Sequence, residues 1–400
     1  MSTTRFSFPT TIHFGAGVRK LVAAHLHEAR CTRPLIVTDR ALGALPVLAE
    51  FRSHLEGLEV AVFDGVHGNP TASQAMAGAK AFKAHAADSV IGFGGGAALD
   101  VAKVVAVMAV HDGHVLEYAW DHPQVRTIGE PLPHFVALPT TAGTGSEVGR
   151  SSVISEDDTH VKRIVFSPKL LAKAVFADPE LTLGLPPNVT AATGMDALTH
   201  NIESYLSPAY HPLCDGIALE GVRIAARALR NAVGEPGNLQ ARADMMMASM
   251  MGAIAFQKGL GITHSFAHAL SAVADLHHGL ANGLMIEHAM RFNLEVAPEK
   301  FRVMAQTIGL KEPTGEAFLR WLRELKGRIG IPSGPLEAGV SAGELDRLSE
   351  LAFADTCHLN NPRPCTAEDF RRLWSEAFAG SATATSTTPQ RHRGTEKAGE

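Results

Sequence analysis

The sequence predicts an α/β N-terminal domain with a parallel sheet, followed by an all-α C-terminal domain. Three observations predict it. Over residues 1–183, short and continuously apolar runs alternate with helical stretches, as strands buried on both faces of a parallel sheet require. Two of those runs end in glycine-punctuated loops. Beyond them strand candidates become few and helical patterns dominate.

In chain order, Pro34–Asp39 reads as a buried strand ending on a polar residue. Val60–Asp64, Ser89–Phe93 and His134–Pro139 read as further strands, with helices over Ser73–Ala86 and Ala98–Val110 between them. Asn188–Tyr205, Asp215–Ala232, Asn238–Lys258 and Thr263–Leu276 then read as helices, and helical texture continues from Pro298 to Phe378. The expected division is an α/β domain over 1–183 and a helical catalytic domain over 184–380. A tail over 381–400, rich in Ser, Thr, Gly and charge, is expected to be disordered.

Composition narrows the function. A chain of 400 residues accommodates two cores, and 46% hydrophobic with 19% charged residues is the balance of a soluble globular protein. A formal charge of −5 without a dense basic block argues against nucleic acid as partner. No apolar run reaches the roughly 20 residues of a membrane helix. The first residues lack the pattern of a secretory signal. The four cysteines form no CxxC pair, so neither a zinc ribbon nor a thioredoxin-like site is indicated, and free thiols in a reducing cytoplasm are expected.

Gly92-Phe93-Gly94-Gly95-Gly96-Ala97 follows a strand and opens a helix. It matches GxGxxA formally, but it closes roughly the third strand, where the dinucleotide fingerprint closes the first. Its physical content is close backbone approach and free N–H groups at a helix N-terminus, which suit a phosphate. The plainer alternative is a tight turn with no ligand. Pro139 to Val148, with Thr140, Thr141, Thr144 and Ser146, is a second polar loop at a strand end, and two such loops favour a shared dinucleotide crevice.

Asp196 and His200 stand four apart, as do His264 and His268, so each pair shares a helical face. His277 and His278 follow ten residues on. One carboxylate with several imidazoles suits Fe²⁺ or Zn²⁺. Spacing leaves two readings open: a metal site, or buried polar groups satisfied by other partners.

Together these segments resemble the iron-containing (group III) alcohol dehydrogenase family. The matching stretches are Gly94 to Asp100 with Lys103, Pro139 to Val148, Thr193 to His200, Gly259 to His268, His278-Gly279 and Asn360 to Arg363. The resemblance runs from Phe14 to Phe378. It implies that Asp196, His200, His264 and His278 hold the metal, with His268 beside them as the catalytic histidine. It implies NAD as the cofactor, with Asp39 at the adenosine ribose, where an acid repels a 2′-phosphate. Asn69, Gly95, Gly96, Ala97, Thr140, Thr141, Thr144 and Lys162 would line the cofactor. Ala97 departs from the family's usual Ser and would lose one hydroxyl contact. A homodimer or higher homo-oligomer is also implied.

The implied reaction is hydride transfer between NAD(H) and a primary alcohol or aldehyde. The stretches around Gly145–Arg150 and Phe256–Gly261 look most like the branch acting on 4-hydroxybutyrate, whose aldehyde is succinate semialdehyde. Arg150 and Lys258 are then candidates to hold a distal carboxylate. The alternatives are a broad-range primary alcohol or short diol dehydrogenase and, in another class, a metal-dependent lyase or synthase that retains NAD.

Overall fold

The computed structural model describes residues 6–8, 10–129 and 131–385. Among the described residues there are eight strands: β1 (Thr11–Phe14), β2 (Pro34–Asp39), β3 (Ala61–Val66), β4 (Ser89–Gly94), β5 (His134–Pro139), β6 (Ser151–Ser155), β7 (Lys162–Phe166) and β8 (Ala174–Ala177). Six of them form one sheet in the order β1-β8-β5-β4-β2-β3, with every pairing parallel. The hairpin β6–β7 stands apart and is antiparallel.

The apolar strands are explained by what covers them. Alternate side chains of β2, β4, β5 and β8 enter two different cores. Ile36, Ile91, Phe93, Val136, Leu138 and Phe176 pack with Leu26, Leu48 and Phe51 from the helices Val22–Glu28 and Pro46–Ser53. Leu35, Val37, Val90, Phe135 and Val175 face the other way, into a core shared with Gly96–Val110 and with the helical half. A strand covered on both faces has no polar side to show in its sequence.

The four strands expected from the sequence lie within two residues of their places, and the helical half is helical. β1, β8 and the hairpin were not anticipated. They are short, and β1 is largely exposed or half-buried. Because β1 precedes the rest, the glycine cluster follows the fourth strand of the chain rather than the third. The final helix spans Ala367–Thr385, so helix continues past residue 380, where an irregular tail was expected; residues 386–400 lie outside the described residues.

At the centre of the second half is the helix Pro187–Leu206, buried at every position from Thr190 to Leu206. Such a helix needs small contact residues so that its neighbours can approach. A Cβ on Gly194 would stand 2.2 Å from Leu229 Cδ1, and one on Gly279 would stand 2.2 Å from the Ala192 carbonyl oxygen.

Candidate active site

The chain runs from β2 outward to β3, then returns to place β4 on the other side of β2. Ligands bind at such a reversal, beyond the carboxyl ends of the strands. A cavity of about 520 Å³ lies there, lined by Asp39 at the end of β2 and by His67, Gly95 and Ala97 among others. It shares Gly68, Gly95 and Ala97 with a second cleft of about 570 Å³, which reaches the histidines.

The helix Gly96–Val110 has Gly95 as its N-cap and no side-chain cap, leaving its first N–H groups to a ligand. The two loops fit against each other closely: a Cβ on Gly96 would stand 2.5 Å from Thr144 Cγ2. Gly145 is left-handed at φ 61°, and a Cβ there would meet Ala253 Cβ at 2.3 Å. Asp100 ties the loops to the hairpin, accepting from Ser146 Oγ (2.5 Å) and from Val153 N–H (3.0 Å). Lys103 donates to Ser146 Oγ and to the Ser151 carbonyl, both at 2.7 Å. Lys162, at the start of β7, thereby comes into the cleft wall, where burial brings its ammonium down to about 8 against the opposing pull of Asp196, Asp355 and Asp100.

Of the residues expected at the cofactor, Asn69, Gly95, Gly96, Ala97, Thr141, Thr144 and Lys162 line the second cleft, and Asp39 lines the first. Asp39 also caps a short helix through the Leu42 N–H at 2.8 Å. Thr140 does not line either; it is buried, with its N–H on the Gly94 carbonyl at 3.0 Å.

Asp196, His200, His264 and His278 converge from three helices, Pro187–Leu206, Ile262–Ala274 and His278–Leu294, with one donor atom of each within 4.8 Å of the others. Nε2 of His278, His200 and His264 stands 3.5, 3.8 and 4.0 Å from Asp196 Oδ1. Ligands about 2.1 Å from one tetrahedral ion would be about 3.4 Å apart, so this set fits a divalent first-row metal with little adjustment. Burial holds His200 down at about 4 despite Asp196, and burial followed by Lys162 holds His278 well below its ordinary range. Both rings are therefore neutral at pH 7, the form that ligates.

Three further buried residues complete this arrangement; the sequence did not single out Glu203 and Asn282, whereas Asn361 lies in the Asn360 to Arg363 stretch that carries the resemblance. Glu203 accepts from the N–H groups of Gly261 (2.9 Å) and Thr263 (2.7 Å) and from His264 Nδ1 (2.7 Å). Burial alone would push its pKa up, but His264 and the N–H donors bring it below the usual carboxylate range, so it is ionised and an acceptor only. His264 must then carry its proton on Nδ1 and turn the Nε2 lone pair toward the other donors. Glu203 stands seven residues after Asp196 on the same helical face, which is a legible signal. Asn282, one turn after His278, donates to Asp196 Oδ1 at 2.8 Å. Asn361 accepts from Ile262 N–H at 3.3 Å and holds the start of the His264 helix.

His268 lines the cleft and stacks on His278, with ring centres 5.3 Å apart. Its Nδ1 lies 2.7 Å from Asp355 Oδ2, an acid 87 positions further along the chain for which the sequence held no signal. The two candidates for an anion anchor lie elsewhere. Lys258 Nζ is buried against Asp215 and the Tyr205 carbonyl, and the Arg150 guanidinium sits 5.5 Å from the Phe166 ring centre. Neither lines the cleft.

Comparison with known proteins agrees with this architecture. Residues 9–179 match the family described as iron-containing alcohol dehydrogenase, and residues 190–378 match its C-terminal domain. The chain is 36% identical to a 4-hydroxybutyrate dehydrogenase of Cupriavidus necator, over 92% of this chain and 98% of that one. It superposes on a 1,3-propanediol oxidoreductase with a TM-score of 0.89 at 34% identity, covering 94% of this chain and all of that one. It also superposes on a sulfoacetaldehyde reductase of Bifidobacterium kashiwanohense solved with NAD⁺, with a TM-score of 0.85 at 27% identity and coverage of 94% and 99%. With loops for a dinucleotide and an Asp–His₃ cluster in one cleft, and these matches along nearly its whole length, the chain belongs to the iron-containing alcohol dehydrogenase family, whose members carry out NAD-dependent alcohol oxidoreduction.

Proposed function

We propose that this enzyme interconverts a short ω-hydroxy acid and its aldehyde, with Asp196, His200, His264 and His278 as metal ligands and His268 as the catalytic histidine. The observation that carries the residue roles is the single cleft joining the glycine-rich loops to the Asp–His₃ cluster. When bound, the metal supplies a Lewis acid for the alcohol oxygen and the nicotinamide supplies the hydride acceptor. The chain supplies the positioning. Glu203 orients His264, Asn282 holds Asp196, and the amides after Gly95 with Thr141 and Thr144 receive the cofactor. His268 takes the hydroxyl proton and passes it to solvent.

The acid end of the substrate rests on the likeness to a 4-hydroxybutyrate dehydrogenase. A second reading, a primary alcohol or short diol, is favoured by the positions of Arg150 and Lys258 outside the cleft lining. Relative kcat/KM for 4-hydroxybutyrate, 1,3-propanediol and 1-butanol separates the two. We expect 4-hydroxybutyrate to lead by tenfold or more, roughly the 1.4 kcal/mol of one charged hydrogen bond; a lead by either uncharged alcohol removes the hydroxy-acid reading. Fe²⁺ and Zn²⁺ both suit the donor set. A homodimer in the cytoplasm is our further proposal, on the family resemblance and four free cysteines. No described helix is long and apolar enough to cross a membrane.

A further inference from the structure

We infer that Asp355 is a positioning residue for the reaction: it fixes the tautomer of His268 so that the Nε2 lone pair is free to receive the alcohol proton. The inference rests on the catalytic reading of His268.

The hydrogen bonds around Asp355 leave little choice. Its Oδ1 accepts from the Cys357 N–H (2.8 Å) and from Ser265 Oγ (2.8 Å). Ser265 Oγ itself accepts the His358 N–H at 3.0 Å, so the hydroxyl proton of Ser265 must point at Asp355. That leaves Oδ2 for His268 Nδ1 at 2.7 Å. Burial works against ionisation of Asp355, but three donors, His268 Nδ1, the Cys357 N–H and the Ser265 hydroxyl, overcome it and hold the carboxyl well below its usual range. An ionised carboxylate only accepts. Nδ1 is therefore the protonated nitrogen, and Nε2 is left as an acceptor on the opposite edge of the ring. Asp355 begins the turn after the helix Leu345–Ala354, and its bonds to Ser265 and His268 fasten that turn to the helix that carries His264.

The step balances. The hydroxyl proton goes to His268 Nε2 and then to solvent, and the carbinol hydride goes to NAD⁺. The products are aldehyde, NADH and one proton.

Asp355→Asn discriminates. The Cys357 N–H cannot reverse its direction, so the amide oxygen of the variant stays on it and the amide NH₂ faces His268. Nδ1 must then accept, and the proton moves to Nε2. In ¹⁵N-histidine-labelled, Zn²⁺-loaded full-length protein, His268 is expected to show a protonated Nδ1 in the wild type and a protonated Nε2 in D355N. In D355N, kcat is expected to fall roughly 10²-fold or more, the range of a lost general base. The KM values and the metal content are expected to stay within twofold. Asp355→Glu, which restores an acceptor, should recover the wild-type tautomer and part of kcat. A wild-type ring protonated on Nε2 overturns the inference without any variant, and so does D355N with an unchanged kcat. His268→Gln separates the two readings. Loss of kcat in H268Q beside normal D355N activity overturns only the role of Asp355. Full kcat in H268Q overturns the role of His268 itself.

Discussion

Glu203 shows how one side chain governs a centre it does not enter. All three of its partners are donors: two backbone N–H groups and His264 Nδ1. In Glu203→Gln one oxygen becomes an NH₂ that must face a donor whichever way the amide turns. The variant is expected to fold yet to bind metal roughly 10–100-fold more weakly, the usual cost of losing such an orienting partner. Metal titration of the apoprotein measures this directly, and an unchanged affinity would count against the role given to Glu203. A second residue-scale prediction concerns acid stability. Burial, then the neighbouring His25 and Lys173, hold His134 down at about 4, although Asp88 opposes them. Its Nε2 faces that of His25 at 2.9 Å, so one ring donates and the other accepts. Between about 6.5 and 4 the unfolded chain takes up a proton at this position that the folded one refuses, so stability declines as pH falls through that window. His134→Asn should flatten the decline. Thermal melts at pH 7 and pH 5 should differ less in the variant than in the wild type; an equal difference would exclude His134 as a source.

At the scale of elements, the approach of helices rests on glycine. Gly279 opens the helix that begins at His278, and a Cβ there would lie 2.2 Å from the Ala192 carbonyl and 3.1 Å from Asp196 Cβ. Gly279→Ala must push apart two of the three helices that carry the Asp–His₃ cluster. It is expected to cost about 1–3 kcal/mol of stability, as overpacking does, and to lower metal occupancy with it. Chemical denaturation with metal analysis of the same sample checks both; a variant as stable and as fully loaded as the wild type would contradict the packing argument. Elements also differed in how legible they were. β2, β4 and β5 were readable because both faces are buried and their runs are apolar throughout. The hairpin β6–β7 was not, because strands such as Ser151–Ser155 are short and polar and are held from outside, by Asp100 on Ser152 and Val153.

At the scale of the molecule, the two halves share a core. Leu35, Val37 and Val105 of the α/β part belong to the same apolar cluster as Leu198, Leu229 and Phe266 of the helical part. Unfolding is therefore expected to be one transition, although the sequence reads as two domains. Saturating NAD, at about 100 times its dissociation constant, should shift that single transition by about 2.7 kcal/mol. Differential scanning calorimetry would show it, and two separable transitions, with only the first moved by NAD, would mean that the halves unfold independently.

The sequence alone determined what depends on local geometry. A strand buried on both faces, a glycine-rich turn into a helix and an Asp–His pair one turn apart are all set by spacing along the chain, and all were readable, as were the residue types of the Asp–His₃ cluster. Tertiary structure decided which of these meet. Only packing brings Asp196 within 4.0 Å of histidines on two other helices, sets Glu203 behind one of them and carries Asp355 across 87 positions to His268. The same packing turned Lys258 toward Asp215 and away from the cleft that its place in the sequence suggested. The physical reason is that helical and strand periods fix directions over a few residues, whereas the distance between side chains on different elements is set by how those elements pack.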